Sequence, residues 1–418
     1  MFPSRFKPMD FDLKQVMYVI IFQYCLFSGS YHASAADSLA PTQSIRNGTT
    51  LLSSAQTFEL GFFSPGQSNK FYLGIWYKRF PDTVVWVGNR EKPVIGSHAF
   101  LNISTTGNLF IFDGQNTIIW STNPSRPPKN PVAQLLDSGN LVLKDADADE
   151  DTESYLWESF DFPSDTQLAG MKIGRNFKTG TNRYLTARKG VNDPSPGDFT
   201  YGVDDNGSPQ FVVHEGTEKR FRTGPWNGIK FNGHPAQISP IIHHVNVFNT
   251  EEAYDMFEVI DKSFISRTTI NESGLVQRLV LYENASEWTI MYTLQNDLCN
   301  DYARCGPNGI CKINQRPICE CLEGFVPRSE GEWQAKMDRY KQELLDRFVF
   351  VTKSSEDVAT DTLKNFDWDA EAAIDYYFDN MDTPDDALIG ELYDKYKGNL
   401  FFPQFCSLNE FGPLDYLP

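Results

Sequence analysis

The 418-residue sequence lacks a long uninterrupted apolar stretch between its N-terminal segment and its C-terminal tail. A helix that spans a bilayer needs about 20 consecutive apolar residues. The N-terminal apolar run, residues 16–27, is shorter than this and is interrupted by Gln23. Basic residues precede the run, and Ala33-Ser34-Ala35 follows it with the small side chains that signal peptidase requires. The sequence therefore predicts a signal peptide over residues 1–36, with an N-terminal membrane anchor as the alternative.

The sequence also lacks a basic patch and the signatures of several enzyme classes. Nucleic-acid binding requires clustered lysine and arginine, whereas the net charge here is −18, so no nucleic-acid partner is expected. There is no Gly-x-Gly-x-x-Gly loop, no His-Arg-Asp, no Asp-Phe-Gly, no His-Glu-x-x-His and no Gly-x-Ser-x-Gly. His243 and His244 are adjacent, so on a strand they would point to opposite faces and not share a metal ion. We therefore expect no catalytic residue, no metal and no cofactor, and we expect a binding protein.

Cysteine is scarce outside one short segment. Five of the seven cysteines fall within 23 residues with the spacing C-x5-C-x5-C-x7-C-x-C: Cys299, Cys305, Cys311, Cys319 and Cys321. A zinc site is the alternative, but paired C-x2-C knuckles and a nearby histidine are missing. The spacing predicts a small disulfide-stapled module in an oxidising compartment. Because five is odd, one sulfur of this cluster lacks a local partner.

All glycosylation sequons of the sequence lie before the cysteine cluster. The five candidate acceptor sites are Asn47, Asn102, Asn206, Asn271 and Asn284. Single sequons occur by chance, and Pro209 weakens the third, but five sequons behind a signal peptide agree with secretion. We therefore predict a glycosylated extracellular segment that extends to the cysteines.

Between residues 57 and 144, short apolar runs alternate with turn residues. Phe58–Phe63 is followed by Ser-Pro-Gly, and similar runs occupy residues 72–77 and 83–87. The segment 107–113 is repeated approximately by 139–145, each beginning with Gly-Asn followed by a strand-like run. This spacing is typical of an all-β sandwich, prism or barrel.

Several long motifs follow one another along the chain: FELGFFSPG from Phe58, YLGIWY from Tyr72, VVWVGNR from Val84, WESFD from Trp157, DPSPGDF from Asp193 and RTGPWNG from Arg222. These motifs resemble those of the extracellular S-domain of plant S-locus glycoproteins and G-type (bulb-type) lectin receptor-like kinases. The resemblance covers about residues 37–333. It implies a bulb-type lectin domain at 37–165, a second lectin-like S-locus glycoprotein domain at 166–298 and a truncated EGF-like module at 299–333.

The bulb-lectin sugar motif, Q-x-D-x-N-x-V-x-Y, is only partly present. In the second of the two echoing segments its five positions hold Leu136, Ser138, Asn140, Val142 and Lys144. In the first segment Asn108 alone matches. A site that lacks most of its donors and acceptors does not offset the desolvation of a sugar. We therefore expect weak or absent mannose binding, with Asn108, Asn140 and Val142 as remnants of the motif that serve turns and strands.

The C-terminal part has a different character. From Met337 onward there are 18 acidic and 7 basic residues, and apolar residues recur with helical spacing. Three short helices are predicted, the second beginning at Ser354 and carrying Val358, Leu363 and Phe366. Residues 348–378 resemble the UBA-like domain of the defective-in-cullin-neddylation family, which implies a three-helix domain at 337–380 and a truncated tail at 381–418. Tyr377 and Phe378 are the candidates for contacting ubiquitin, with core packing as their alternative role.

Together these features predict a mainly β chain: tandem bulb-lectin-like β-prism domains, a small disulfide-rich EGF-like module and a C-terminal three-helix UBA-like bundle. The expected function is that of a non-catalytic, secreted or cell-surface S-domain glycoprotein that recognises a peptide or glycan ligand, as in pollen recognition or pattern perception. A receptor-kinase partner or a homodimer is expected, and ubiquitin for the isolated tail. The alternatives are a cytosolic ubiquitin-binding or neddylation adaptor and a fragment of a lectin receptor serine/threonine kinase.

Overall fold

The computed structural model describes residues 37–147, 155–233, 241–295, 298–312 and 318–327, and, between 329 and 380, all but 330, 332–337, 339, 340, 343, 347, 350, 351, 367 and 369. The predicted signal peptide and the segment after residue 380 lie outside the described residues. The chain divides into two compact units, the first ending at Ser159 and the second beginning at Phe160.

The first unit consists of short antiparallel strands, as the alternation of apolar runs with turn residues predicts. Its described strands are β1 (Ser38–Leu39), β2 (Ser44–Arg46), β3 (Leu51–Leu52), β4 (Phe58–Phe63), β5 (Lys70–Tyr77), β6 (Phe80–Val87), β7 (Val94–Ile95), β8 (Phe100–Ile103), β9 (Leu109–Phe112), β10 (Ile118–Ser121), β11 (Pro131–Leu135), β12 (Leu141–Asp145) and β13 (Trp157–Glu158). They form three sheets, ordered β1-β11-β12-β13, β10-β9-β8-β2 and β3-β4-β5-β6, with β7 paired to β5.

Each of these three sheets contributes one tryptophan to a shared cluster. Trp86 on β6, Trp120 on β10 and Trp157 on β13 lie with ring centroids 5.9–6.2 Å apart, each pair edge to face. Edge-to-face pairs are favoured because the positive ring edge meets the negative ring face. Gly88 leaves space for this cluster, since a Cβ there would lie 2.8 Å from the far end of the Trp86 ring. The three tryptophans therefore join the three sheets around one core.

The second unit repeats the arrangement with longer strands. Its described strands are β14 (Thr166–Leu168), β15 (Ile173–Asn176), β16 (Asn182–Arg183), β17 (Leu185–Gly190), β18 (Asp193–Asp204), β19 (Gln210–Glu215), β20 (Glu218–Arg222), β21 (Ile242–Phe248), β22 (Glu252–Val259), β23 (Phe264–Ile270), β24 (Val276–Tyr282), β25 (Thr289–Thr293), β26 (Gly309–Cys311) and β27 (Cys319–Cys321). Three four-stranded sheets have the orders β14-β23-β24-β25, β16-β15-β22-β21 and β17-β18-β19-β20, while β26 and β27 pair separately.

The core of the second unit contains polar as well as apolar side chains. Arg278 is buried with its guanidinium 3.6 Å from the centroid of the Phe257 ring, a geometry in which the ring face attracts the cation. On β21, the His244 side chain is buried whereas the neighbouring His243 side chain is 55% exposed. The two histidines therefore point to opposite faces of their strand, as predicted. Within the described residues, no cluster of His, Cys, Asp and Glu is arranged to hold a metal ion.

The C-terminal part of the second unit is helical. Described positions between 338 and 352 are helical, and α1 (Glu356–Asn365) and α2 (Ala370–Asp379) follow. The predicted start of the second helix at Ser354 is wrong by one residue, because Ser355 is the N-cap and its hydroxyl accepts a hydrogen bond from the Val358 backbone N–H. Of the apolar side chains predicted for this helix, Val358 is exposed and Leu363 is buried, and Ala359 is buried beside it.

The predicted fold class is confirmed: the chain is mainly β, carries disulfides, and has three helices in the described part of its C-terminal region. None of the helices in the described part of the chain is long and apolar enough to cross a membrane.

Candidate functional site

Asn140, a remnant of the sugar motif, lies in the interior of the first unit. Its side chain is only 4% exposed. Its Nδ2 donates to Glu158 Oε2 at 2.7 Å, and its Oδ1 accepts from Ser159 Oγ at 3.0 Å. Ser159 Oγ in turn accepts from the Leu141 backbone N–H at 2.9 Å. Asn140 therefore ties the start of β12 to the last residue of β13 and to the residue that follows it, and its polar atoms are directed at protein groups.

Asn108 occupies the same position in the first echo but is held more loosely. Its Oδ1 lies 3.5 Å from Thr122 Oγ1, which also accepts from the Leu109 backbone N–H at 2.9 Å. Each asparagine follows a glycine with positive φ, at Gly107 and Gly139. Thr122 and Ser159 are the hydroxyl partners in the two segments, and neither was expected from the sequence. In the sequence each partner is a hydroxyl residue directly after a later strand, 14 positions after Asn108 and 19 positions after Asn140.

The remaining motif positions offer few groups to a ligand. Val142 is buried in β12, and Lys144 is largely buried on the same strand. Leu136 is half-buried, while Ser138 is exposed. In this segment the polar atoms that a mannose would need are either replaced or bonded to the protein.

The five candidate glycosylation sites differ in accessibility. Asn47, Asn206 and Asn284 are exposed in turns. Asn102 is half-buried on β8 with a buried Oδ1, and Asn271 is half-buried with its Oδ1 accepting from the Ser273 and Leu275 backbone N–H groups. The exposed turns are the sites at which glycosylation would be accommodated most readily.

Two disulfides link the cysteine cluster, Cys299–Cys311 and Cys305–Cys319. Cys321 carries a free thiol and is half-buried. The cross-strand register places Cys311 opposite Cys319, so the two bonds pass from the two-stranded ribbon to the preceding loop. The structure thus has the two bonds and one local thiol that the odd count predicts.

Tyr377 and Phe378, the candidate ubiquitin contacts, are half-buried on α2. The Tyr377 ring lies 5.5 Å from the Phe348 ring and 5.8 Å from the Phe378 ring. Both side chains pack against a cluster that includes Leu363 and Ile374. Their contacts in the structure are therefore contacts of the helical core.

A cavity in the second unit was not anticipated from the sequence. It has a volume of about 470 Å³ and is lined by Arg175, Asn182, Tyr184, Thr200, Gly202, Val203, Asp204, Asp205, Asn206 and His214. Strands β15, β16, β18 and β19 supply these residues, together with the connections β16–β17 and β18–β19. They lie on separate strands within residues 175–214 and share no local motif, so the strand register brings them together.

Three family models match the chain. The D-mannose binding lectin model matches residues 83–189, the S-locus glycoprotein domain model matches residues 221–329, and the UBA-like domain model matches residues 342–384. With the sheets and the disulfide module, these matches define the class: a lectin-like S-domain followed by a UBA-like domain.

The relatives identify the family. S-locus-specific glycoprotein S6 of Brassica oleracea is 37% identical over 339 residues, which cover 79% of this chain and 76% of that protein. The chain therefore belongs to the S-locus glycoprotein family. Receptor-like serine/threonine-protein kinase SD1-8 of Arabidopsis thaliana is 39% identical over 323 residues, and the match spans 76% of this chain but only 38% of the kinase.

Solved mannose-binding lectins are similar to part of the chain. The mannose-specific agglutinin from snowdrop (Galanthus nivalis), solved with methyl-α-D-mannoside, is 21% identical with a TM-score of 0.21, covering 28% of this chain and 95% of that one. A monomeric mannose-binding lectin from Gastrodia elata is 21% identical with a TM-score of 0.23, covering 30% and 96%.

Proposed function

We propose that the chain is a secreted or cell-surface recognition glycoprotein whose S-domain binds a peptide or glycan ligand without catalysing a reaction. The observation that carries the proposal is the match to S-locus-specific glycoprotein S6, which extends over 79% of this chain and 76% of that protein. A match of this extent includes both lectin-like regions and the cysteine module, and so supports the same overall role for the S-domain.

The disulfide module supports an extracellular location. Structural disulfides form and persist in oxidising compartments and are rare in the cytosol. The Cys305–Cys319 bond is buried, and β26 and β27 pair beside it. A cytosolic adaptor would have to keep these cysteines reduced. The candidate glycosylation sites, of which Asn47, Asn206 and Asn284 are exposed, favour the same location.

The proposal is tested by expressing the full chain with a C-terminal tag in plant cells. We expect the tagged protein in the extracellular fluid, with a gel mobility that increases after peptide-N-glycosidase treatment. The purified secreted protein is then titrated against a pollen-coat peptide fraction and against immobilised plant oligosaccharides. An unglycosylated cytosolic protein would contradict the location, and the absence of saturable binding to both ligand classes would contradict the recognition role.

A further inference from the structure

The cavity of the second unit has one wall formed by paired strands of a single sheet. Arg175 on β15 lies opposite Asn182 on β16, so their side chains are cross-strand neighbours. Tyr184 follows directly, in the connection between β16 and β17, and its side chain is 45% exposed. An amide, a guanidinium and an accessible aromatic ring are thereby placed along the same wall.

The other wall is formed by β18 and β19. Thr200, Gly202 and Asp204 alternate along β18 and therefore share a face. His214 on β19 lies directly opposite Thr200. A Cβ on Gly202 would come within 2.8 Å of the Tyr184 Cβ, so the glycine leaves room for the tyrosine in the cavity lining.

The charges around the cavity are compensated within the protein. Arg175 donates from Nη1 to both oxygens of Asp205, at 3.0 and 2.9 Å. Lys219 Nζ donates to Asp204 Oδ2 at 2.8 Å. Burial raises the pKa of Asp204, but hydrogen bonds from Lys219 and Asn206 outweigh it, so the pKa lies below its ordinary value and the pair stays ionised near neutrality. With two acids matched by two bases, the cavity favours an uncharged ligand.

Hydrogen-bonding groups without protein partners face this balanced cavity. In the part of the chain that the structure describes, the side chains of Asn182, Tyr184, Thr200 and His214 form no hydrogen bond. An amide, a phenol, a hydroxyl and an imidazole together supply donors and acceptors. Val203 is the one aliphatic side chain in the lining, so apolar anchor residues of the kind that dominate protein interfaces find no pocket here.

We propose that this cavity binds a neutral saccharide, with Tyr184 contacting the apolar face of one sugar ring. The inference rests on the proposed recognition function and assigns it a ligand class and a site. A volume of about 470 Å³ lies within the roughly 300–1,000 Å³ typical of small-ligand sites. The hydroxyl-rich, uncharged surface of a saccharide matches the free donors and acceptors of the lining.

The saccharide has two sources, a free oligosaccharide and the chain's own N-glycan. Asn206 is an exposed candidate glycosylation site that also lines the cavity. Its Nδ2 donates to Asp204 Oδ1 at 2.9 Å, and a glycosylated amide keeps one N–H for that bond. A glycan attached there begins at the edge of the cavity. Replacement of Asn206 by glutamine removes this internal source.

The experiment uses the full secreted chain, both wild type and N206Q. The probes are an array of neutral mannan, glucan, xylan and galactan oligosaccharides and high-mannose N-glycans, and each array signal is followed by calorimetric titration. We expect saturable binding to N206Q, weakened at least tenfold by Y184A and by H214A. G202A, which displaces Tyr184, should weaken binding similarly. The matched control is Y282A, because Tyr282 is a tyrosine with a similar exposed fraction, 52%, on β24 away from the cavity.

The internal source gives a different set of results. If the glycan on Asn206 fills the cavity, wild type fails to bind the array while N206Q binds it, and endoglycosidase releases the Asn206 glycan faster from Y184A than from Y282A. The proposal is overturned if N206Q binds no neutral glycan at millimolar concentration and the release rates are equal. It is also overturned if binding is insensitive to Y184A and G202A. Peptide binding that persists in either case leaves the proposed recognition function standing without this saccharide site.

Discussion

Replacing Asn140 by alanine tests whether the sugar-motif remnant has become a structural residue. The buried side chain donates a hydrogen bond to the Glu158 carboxylate and accepts one from the Ser159 hydroxyl. A bond to a charged group contributes about 1.5–3 kcal/mol and a neutral one about 0.5–1.5 kcal/mol. N140A should therefore reduce the free energy of unfolding of the first unit by roughly 2–4 kcal/mol. The same substitution should leave the weak or absent mannose binding unchanged.

The matched control is N108A, at the equivalent position of the first echo. Asn108 is half-buried and its side-chain contact with Thr122 is 3.5 Å long, so its loss should cost less than about 1 kcal/mol. Hydrogen exchange with mass spectrometry on the full secreted chain measures the loss of stability in both variants. Peptides covering β12 and β9 report local stability without assuming a single unfolding transition.

The reasoning would be refuted by an N140A protein with unchanged exchange protection in β12. It would also be refuted by micromolar mannose binding in wild type that N140A abolishes, since Asn140 would then serve a ligand and not the fold. An equal loss of exchange protection in N108A and N140A would show that hydrogen-bond geometry does not determine how strongly each asparagine stabilises its segment.

Four further outcomes are expected. G174A should fail to be secreted, because Gly174 has φ of +149° and a Cβ there would lie 2.0 Å from the Ala253 carbonyl oxygen; G190A is the control, because Gly190 is not in the left-handed region and a Cβ there would meet no atom within 4 Å. Thiol counting on denatured secreted protein should find one or two free groups, or none if Cys406 bonds to Cys321, and reduction of all five clustered cysteines would contradict the extracellular assignment. K219M should lower the free energy of unfolding in urea at pH 7, and this loss should shrink as the pH falls below the unfolded pKa of Asp204, about 3.9, because the pKa of Asp204 is lowered in the folded protein and the contribution disappears as the pH falls through that lower value. Removal of residues 334–418, or F348D alone, should reduce the secreted yield, whereas an unchanged yield would show that the helical tail is a passenger.

The strands were predictable where the signal is local. Phe58–Phe63 forms β4 within the bounds of the predicted apolar run, because turn residues on either side end the strand. The start of α1 was misplaced because adjacent Ser354 and Ser355 both have capping chemistry, and only the backbone geometry selects Ser355.

The cavity was not predictable because it depends on strand register. Arg175 meets Asn182 across one hairpin, and Thr200 meets His214 across another, yet the two pairs belong to different sheets. A shift of one residue in either pair would turn the side chain to the opposite face. Nothing in the local pattern around Tyr184 shows that Gly202 will lie beside it. The residues of this site therefore carry a recognisable chemistry only after the sheets are assembled.

The helical tail presents the sharpest conflict between sequence motifs and structure. Its motifs resemble a module that acts in the cytosol, which suggests a passenger on an extracellular protein. In the structure, however, one buried cluster includes Cys305, Ile318 and Cys319 of the disulfide module together with Leu344 and Phe348 of the helices. A disulfide module this small has little core of its own, and the helices cover its apolar side. The folded tail stabilises the module through that shared core, because the contact removes apolar surface of both from water. This effect does not depend on the function of the family that the helices resemble.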